Sequence, residues 1–167
     1  TYTAQWDVDA IGPDGGPDGI ADKYQVTVTF VVEHGYWNEG TDNAENIVKV
    51  LTLYKDGELS EEGAASLTAP AVGSKPATGY MAGSWDTTVP TTVNKAGDNS
   101  TYTYEYVNAY TVTYDLADGT STTEQLVYTN LANGAETPTI ADPTKTGYVF
   151  AGWDPAVAAT VSGDATY

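Results

Sequence analysis

Hydrophobic and polar residues alternate over much of the chain, and this two-residue period predicts β-strands. The clearest run is 24–33, where Tyr24, Val26, Val28 and Phe30 would share one face and threonines the other. Further strands are expected at residues 1–6, 47–54, 101–107, 110–116, 125–129 and from 165 onward.

Turn residues stand between these runs. Lys55-Asp56-Gly57-Glu58 is typical of a tight hairpin turn, because the glycine supplies a positive φ. Residues 60–63 offer at most one helical turn, since Gly63 and Pro70 limit it. The sequence therefore predicts a mainly β fold, α+β at most.

One phrase of the chain occurs twice at a fixed offset of 68 residues. Its first copy runs from Pro70 through Gly79-Tyr80 to Trp85-Asp86, and its second from Pro138 through Gly147-Tyr148 to Trp153-Asp154. The preceding strands also match, Tyr24 with Tyr110 at an offset of 86, so the first copy carries an insertion of 18 residues between Phe30 and Pro70. A fixed internal period predicts two related units in tandem.

The repeats set the expected domain boundaries. We predict a first unit at residues 24–108 and a second, shorter unit at residues 109–167, joined by a junction too short to be a flexible tether. Thr1–Trp6 resembles a closing strand, and is predicted to end a repeat that precedes this segment in a longer array. Residues 7–23 form an Asp/Gly/Pro-rich linker before the first unit.

The formal net charge of −17 narrows the range of partners. Such a surface repels nucleic acid phosphates and anionic membranes, so neither is expected as a partner. The chain has no cysteine and one histidine, His34, which nearly excludes nucleophilic triads and histidine metal sites. Paired carboxylates for glycoside hydrolysis are not excluded by composition, but no pair is singled out.

The linker carries the one clear chemical signal. It contains five aspartates interleaved with glycines: Asp7, Asp9, Asp14, Asp18 and Asp22. Calcium takes six to eight oxygen ligands on a flexible backbone, which such a loop offers. The spacing fits an EF-type loop only in part, because Ile11 breaks the fifth position. Two interpretations of this segment follow, a calcium site and a solvated linker without metal. Bound calcium would neutralise the crowded carboxylates and stiffen the joint.

The second copy has the most specific motif. Pro143-Thr144-Lys145-Thr146-Gly147-Tyr148-Val149-Phe150-Ala151-Gly152-Trp153, followed by a closing Ala-Thr-Tyr, resembles the internalin B-repeat family, the Listeria-Bacteroides repeat. The likeness is looser in the first copy, where Gly83-Ser84-Trp85 has one more residue between glycine and tryptophan. The resemblance implies β-grasp-like modules repeated in tandem, in an elongated, non-catalytic stalk of a cell-wall-attached extracellular protein.

Three functions follow as hypotheses. The first is a rigid stalk of a bacterial surface adhesin, whose partners are neighbouring repeats and a host or cell-wall ligand. The alternatives are a glycan- or protein-binding module of a secreted protein, and an accessory module of a secreted hydrolase. Trp85 and Trp153 are expected in the core, because repeats share cores more than ligands. Thr1–Trp6 is also expected to pair head to tail with another copy, since an open strand edge invites pairing.

Overall fold

The computed structural model describes residues 2–167 and confirms a mainly β protein. The strands are β1 Gln25–Glu33, β2 Ile47–Thr52, β3 Tyr54–Lys55, β4 Glu58–Leu59, β5 Ala65–Ser66, β6 Tyr80–Trp85, β7 Thr92–Val93, β8 Ser100–Asn108, β9 Tyr110–Thr113, β10 Val127–Leu131 and β11 Ala165–Thr166. Two short 3₁₀ turns lie at Asp22–Tyr24 and Lys95–Gly97.

The largest sheet has four strands in the order β2-β1-β8-β6. β1 pairs antiparallel with β2 and parallel with β8, where Val28 faces Ser100 and Glu33 faces Glu105. The alternation read from the sequence is confirmed, because Val26, Val28 and Phe30 are fully buried. On β8 the tyrosines at alternate positions, Tyr102, Tyr104 and Tyr106, are buried in the same core.

A second sheet has three strands in the order β10-β9-β11. β9 lies in the middle, antiparallel to β10 and parallel to β11. Its core is built on Val112, Tyr114 and Val161, all nearly inaccessible to solvent. The first strand of each repeat therefore sits between an antiparallel second strand and a parallel last strand, so the duplication extends from the sequence to strand order.

The chain forms two compact units. The first unit comprises residues 2–75 and 82–106, and the second unit residues 76–81 and 107–167. The hairpin predicted at Asp56-Gly57 is present, with φ of 54° and 87° at these residues and β3 paired to β4. The finer β-grasp assignment stays a prediction.

In three segments the structure differs from what the local sequence pattern predicts. Residues 60–63 form a turn without a helix, held by the Gly63 N–H bonded to the Ser60 carbonyl at 3.0 Å. Residues 2–6 are exposed and lie outside any strand, so the strand predicted there is absent from the described residues; Thr1 lies outside them. β6 was not apparent from alternation, and it forms because β8 lies beside it in the sheet.

Candidate functional site

Each unit is built around three packed aromatic rings. In the first unit the Phe30 ring lies 5.7 Å from Trp85, edge to face, and 5.8 Å from Tyr102. In the second unit the Tyr114 ring lies 5.0 Å from Trp153, edge to face, and 5.7 Å from Tyr167. Such pairs add stability beyond the area that they bury.

The two trios occupy equivalent places in the two sheets. Phe30 lies in β1 and pairs with Tyr102 of β8, whereas Tyr114 and Tyr167 directly follow the paired strands β9 and β11. Phe30 and Tyr114 are 84 residues apart, so the structural offset is two residues shorter than the 86 inferred from the Tyr24 and Tyr110 match. Trp85 and Trp153 are half-buried in these clusters, as expected for shared core residues.

The glycine before the repeated tyrosine makes the same turn in both copies. Gly79 and Gly147 have φ of 86° and 84°, a region that side chains rarely adopt. The next N–H, of Tyr80 or Tyr148, donates to the carbonyl three residues back at 3.0 and 3.1 Å.

The residues that follow this turn differ between the two copies in exposure and in secondary structure. Tyr80 begins β6 and is half-buried, whereas Tyr148 is 75% exposed, with the Lys145 ammonium 5.3 Å from its ring centroid. The second copy of the phrase forms no strand at residues 148–153.

Tyr106 fixes a loop that the sequence did not single out. Its hydroxyl accepts hydrogen bonds from the N–H groups of Gly73 and Lys75 at 2.9 and 3.1 Å and donates to the Tyr36 carbonyl at 3.0 Å. The side chain is fully buried. One phenol therefore satisfies three backbone groups, two in the first copy of the phrase and one in the segment after β1.

An aspartate binds the first strand of each unit from the segment before the last strand. The Asp98 carboxylate accepts from the Thr27 N–H at 2.9 Å, and the Asp164 carboxylate from the Thr111 N–H at 2.7 Å. Asp98 lies two residues before β8, and Asp164 directly precedes β11. This contact is a further feature that the two units share.

The aspartates of the linker mostly bind backbone. Asp9 accepts from the N–H groups of Asp18 and Gly19, and Asp22 from those of Ala10 and Ile11, at 2.9–3.1 Å. The loop is thus folded back on itself by its own carboxylates.

The remaining linker aspartates have separate surroundings. Asp7 forms an ion pair with Lys23 at 2.6 Å, and the hydrogen bond that the Lys23 ammonium donates to the Asp7 carboxylate raises the pKa of that lysine. Asp14 is exposed. Asp18 accepts from the Gln25 side-chain amide at 2.8 Å.

Gln25 is the residue near this loop that sequence reasoning missed. Its side chain is 1% exposed, and within residues 2–167 its Oε1 atom is buried without a hydrogen-bond partner. An amide oxygen is a ligand that calcium accepts. The calcium site at Asp7, Asp9, Asp14, Asp18 and Asp22 stays a prediction. The Gln25 side chain is linked to this group of aspartates by its hydrogen bond to Asp18.

The described residues bring three potential metal-ligating side chains within 4.8 Å at one place, away from the linker. Glu33, His34 and Glu105 meet there, all exposed, where the ends of β1 and β8 run side by side. His34 has a φ of 60°, which turns the chain directly after β1. The histidine therefore lies beside two acids at the end of a strand.

A shallow cleft of about 190 Å³ lies in the second unit, beside the exposed phrase. Leu116, Pro143, Tyr148 and Phe150 line it. Its walls are mainly apolar, and Lys145 is the charged residue among those that line it. Such a surface suits contact with another apolar or aromatic group more than acid–base chemistry.

Strand order, the aromatic trio and the glycine turn define residues 110–167 as a small β-rich repeat unit. Residues 110–164 match the family model of the Listeria-Bacteroides repeat domain. The match confirms the resemblance drawn from the Gly-Tyr-Val-Phe-Ala-Gly-Trp phrase. It indicates a repeat segment of a bacterial surface protein.

The comparisons with curated proteins and with solved structures found no match. Across residues 2–167, no helix has the length and apolar character needed to cross a membrane.

Proposed function

We propose that this chain is a non-catalytic, force-bearing stalk segment of an extracellular, wall-attached bacterial adhesin. The observation that supports it most is the parallel pairing of the first and last strands in both units, β1 with β8 and β9 with β11. A stalk transmits tension from one chain end to the other, so the arrangement of the strands where force enters and leaves decides its strength.

Parallel neighbours place the start of the first strand and the end of the last strand at opposite ends of the pair. Tension along the chain then loads all hydrogen bonds between the two strands at once, in shear. In the first unit that ladder spans six residue pairs, from Val28–Ser100 to Glu33–Glu105. An antiparallel pair of terminal strands would instead open one hydrogen bond at a time.

The junction between repeats also supports a stalk. β8 ends at Asn108 and β9 begins at Tyr110, so Ala109 alone separates the two strands. A linker of one residue cannot act as a flexible coil.

The core supports a structural role over a catalytic one. The repeated tryptophans are part of the aromatic clusters around Phe30 and Tyr114. The repeated residues thus build the same interior twice, which is what a tandem building block requires.

Single-molecule pulling in two directions tests the proposal. The chain has no cysteine, so handles can be attached at introduced ones. Lys23→Cys with Asn108→Cys pulls the β1–β8 ladder in shear, and Lys23→Cys with Thr101→Cys opens the same ladder by unzipping. We expect a several-fold higher unfolding force in shear. Equal forces in the two directions would contradict a load-bearing role.

A further inference from the structure

The first sheet brings together three side chains that can bind a metal ion. Glu33 is the last residue of β1, and its register partner on the parallel strand β8 is Glu105. His34 follows Glu33 directly in the chain. The imidazole and the two carboxylates each offer one ligand atom, and these atoms lie within 4.8 Å of one another. All three residues are exposed, so an ion can reach them from solvent.

Strand alternation places the two acids on the same face of the sheet. Val32, before Glu33, is buried, and so are Tyr104 and Tyr106 on either side of Glu105. The two carboxylates therefore point away from the core, on paired residues of neighbouring strands. Like charges in such positions destabilise a sheet. A cation bound between them would remove the repulsion.

The backbone of His34 is fixed on both sides. Before it, Glu33 belongs to the hydrogen-bonded ladder between β1 and β8. After it, Gly35 is packed so closely against the Tyr106 ring that a Cβ atom would overlap the ring carbons. Between these two anchors His34 has a φ of 60°. The imidazole therefore starts from a fixed point, and a bound ion has only side chains to order.

The lysines of the chain compensate other acids. The chain has 23 acidic residues and six Lys plus Arg. Four lysines form ion pairs, which are Lys23–Asp7, Lys55–Glu62, Lys75–Asp42 and Lys95–Asp98. These contacts involve neither Glu33 nor Glu105. A divalent ion would balance two negative charges in a protein of net charge −17, whose field attracts cations.

The donor atoms select the kind of ion. Calcium and magnesium take oxygen ligands, whereas an imidazole nitrogen beside carboxylates suits zinc and other late first-row divalent ions. Zinc binds histidine nitrogen and carboxylate oxygen at about 2.0–2.2 Å, and three protein ligands leave its fourth position to water. At these lengths tetrahedral ligand atoms are about 3.4 Å apart, so the exposed side chains need to close by only about 1 Å.

We propose that Glu33, His34 and Glu105 bind one zinc ion, which joins the end of β1 to β8. Glu33–Glu105 is the last register pair of that ladder, so the ion closes the ladder at this end. Zinc that binds the folded arrangement stabilises the first unit. The site requires only that the first unit is folded, and it is independent of both the stalk function and the calcium prediction for the linker.

Zinc titration of the 167-residue chain tests the site. His34 is the only histidine, so imidazole signals in NMR spectra report on this position alone. Zinc chloride should shift these signals until one equivalent is bound, and calorimetry should give the same stoichiometry. Calcium chloride at equal concentration should leave the signals in place. Imidazole signals that do not move in excess zinc would overturn the proposal.

Matched variants identify the ligands. His34→Asn removes the imidazole but tolerates a positive φ, and Glu105→Gln removes a charge while keeping the shape of the side chain. Each should weaken zinc binding by about ten-fold or more and abolish the rise in melting temperature that zinc causes in the parent chain. Melts without zinc show whether the variants remain folded.

Two further substitutions are the controls. Glu58→Gln changes an exposed acid of β4, and Asp14→Asn changes an exposed acid of the linker. Both should bind zinc like the parent chain. A folded His34→Asn variant with the parent's zinc affinity would show that zinc binds to acids elsewhere on the surface, and would overturn the proposal.

Discussion

At the scale of single residues, the Tyr106 hydroxyl forms three hydrogen bonds with backbone groups. It accepts from the N–H groups of Gly73 and Lys75 and donates to the Tyr36 carbonyl, so it joins two segments of the chain that lie far apart in sequence. Tyr106→Phe should lower the free energy of unfolding of the first unit by about 2 kcal/mol, because buried backbone groups lose their partner. Denaturant melts measure the change. Tyr54→Phe, at a half-exposed site, is the control and should change little.

Gly83 is required by close contact between two strands. A Cβ atom built there would lie 1.8 Å from the Glu105 carbonyl oxygen, which belongs to backbone and cannot move aside. Gly83→Ala should therefore destabilise the first unit by about 1–3 kcal/mol, the usual cost of overpacking.

Gly163→Ala is the matched control for this substitution. A Cβ atom at Gly163 would meet nothing within 4 Å. Equal denaturation midpoints for the two alanine variants would show that the β6–β8 contact is looser than described.

Tyr114 links stability to alkaline pH. Its burial, and then the negative charges of ionised Tyr167 and Tyr128, raise the pKa of the Tyr114 phenol above its ordinary value near 10. The unfolded chain therefore loses this proton at lower pH than the folded chain. The second unit should be most stable below about pH 10 and lose stability as pH rises through the raised pKa.

Unfolding monitored as a function of pH checks this sign. Tyr114→Phe keeps the ring but has no proton to lose, so its stability should fall less above about pH 10 than that of the parent chain. The same slope in both proteins would mean that other tyrosines govern the alkaline transition.

At the scale of elements, the sequence predicts a strand well where neighbouring residues carry the pattern, and poorly where a distant strand determines the structure. β1 and β8 follow from alternation alone, since Val26, Val28 and Phe30 fall on one buried face. β6 carries no such alternation and contains Gly83, so it is defined by its neighbour and not by its own residues. The Asp98 and Asp164 contacts span 71 and 53 residues, a separation that a pattern along the chain does not reveal.

The Asp164 contact gives a prediction at this scale. Asp164→Ala should destabilise the β9–β11 pair, because the Thr111 N–H loses its carboxylate acceptor. The cost should be about 1–3 kcal/mol, as for other charged acceptors. Hydrogen exchange of the Thr111 and Thr113 amides reports it locally. Glu124→Ala, at an exposed position of the same unit, is the control. Unchanged exchange would contradict a role in holding the last strand.

At the scale of the whole molecule, the calcium prediction concerns the acidic linker. Asp9, Asp18 and Asp22 are occupied by backbone N–H groups, while Gln25 retains a buried unpaired oxygen. The sequence indicated the acids, but the buried glutamine oxygen depends on the folded loop. Calcium should raise the melting temperature, and chelation should lower it, because binding to the folded state stabilises it.

Two variants make the calcium test specific. Asp18→Asn should weaken the response, whereas Glu61→Gln, an exposed acid outside the linker, should leave it unchanged. Identical melts with calcium and with a chelator would leave the linker as a loop held by its own hydrogen bonds.

The single residue Ala109 between β8 and β9 has a consequence for survival outside a cell. Proteases cut chains that they can draw out over several residues, and such sites concentrate in exposed, unpaired loops. At this joint no such length is available until a strand has peeled from its sheet. Cutting at this joint therefore requires that β8 or β9 first separates from its sheet, so the stability of the two sheets sets the rate of cleavage there.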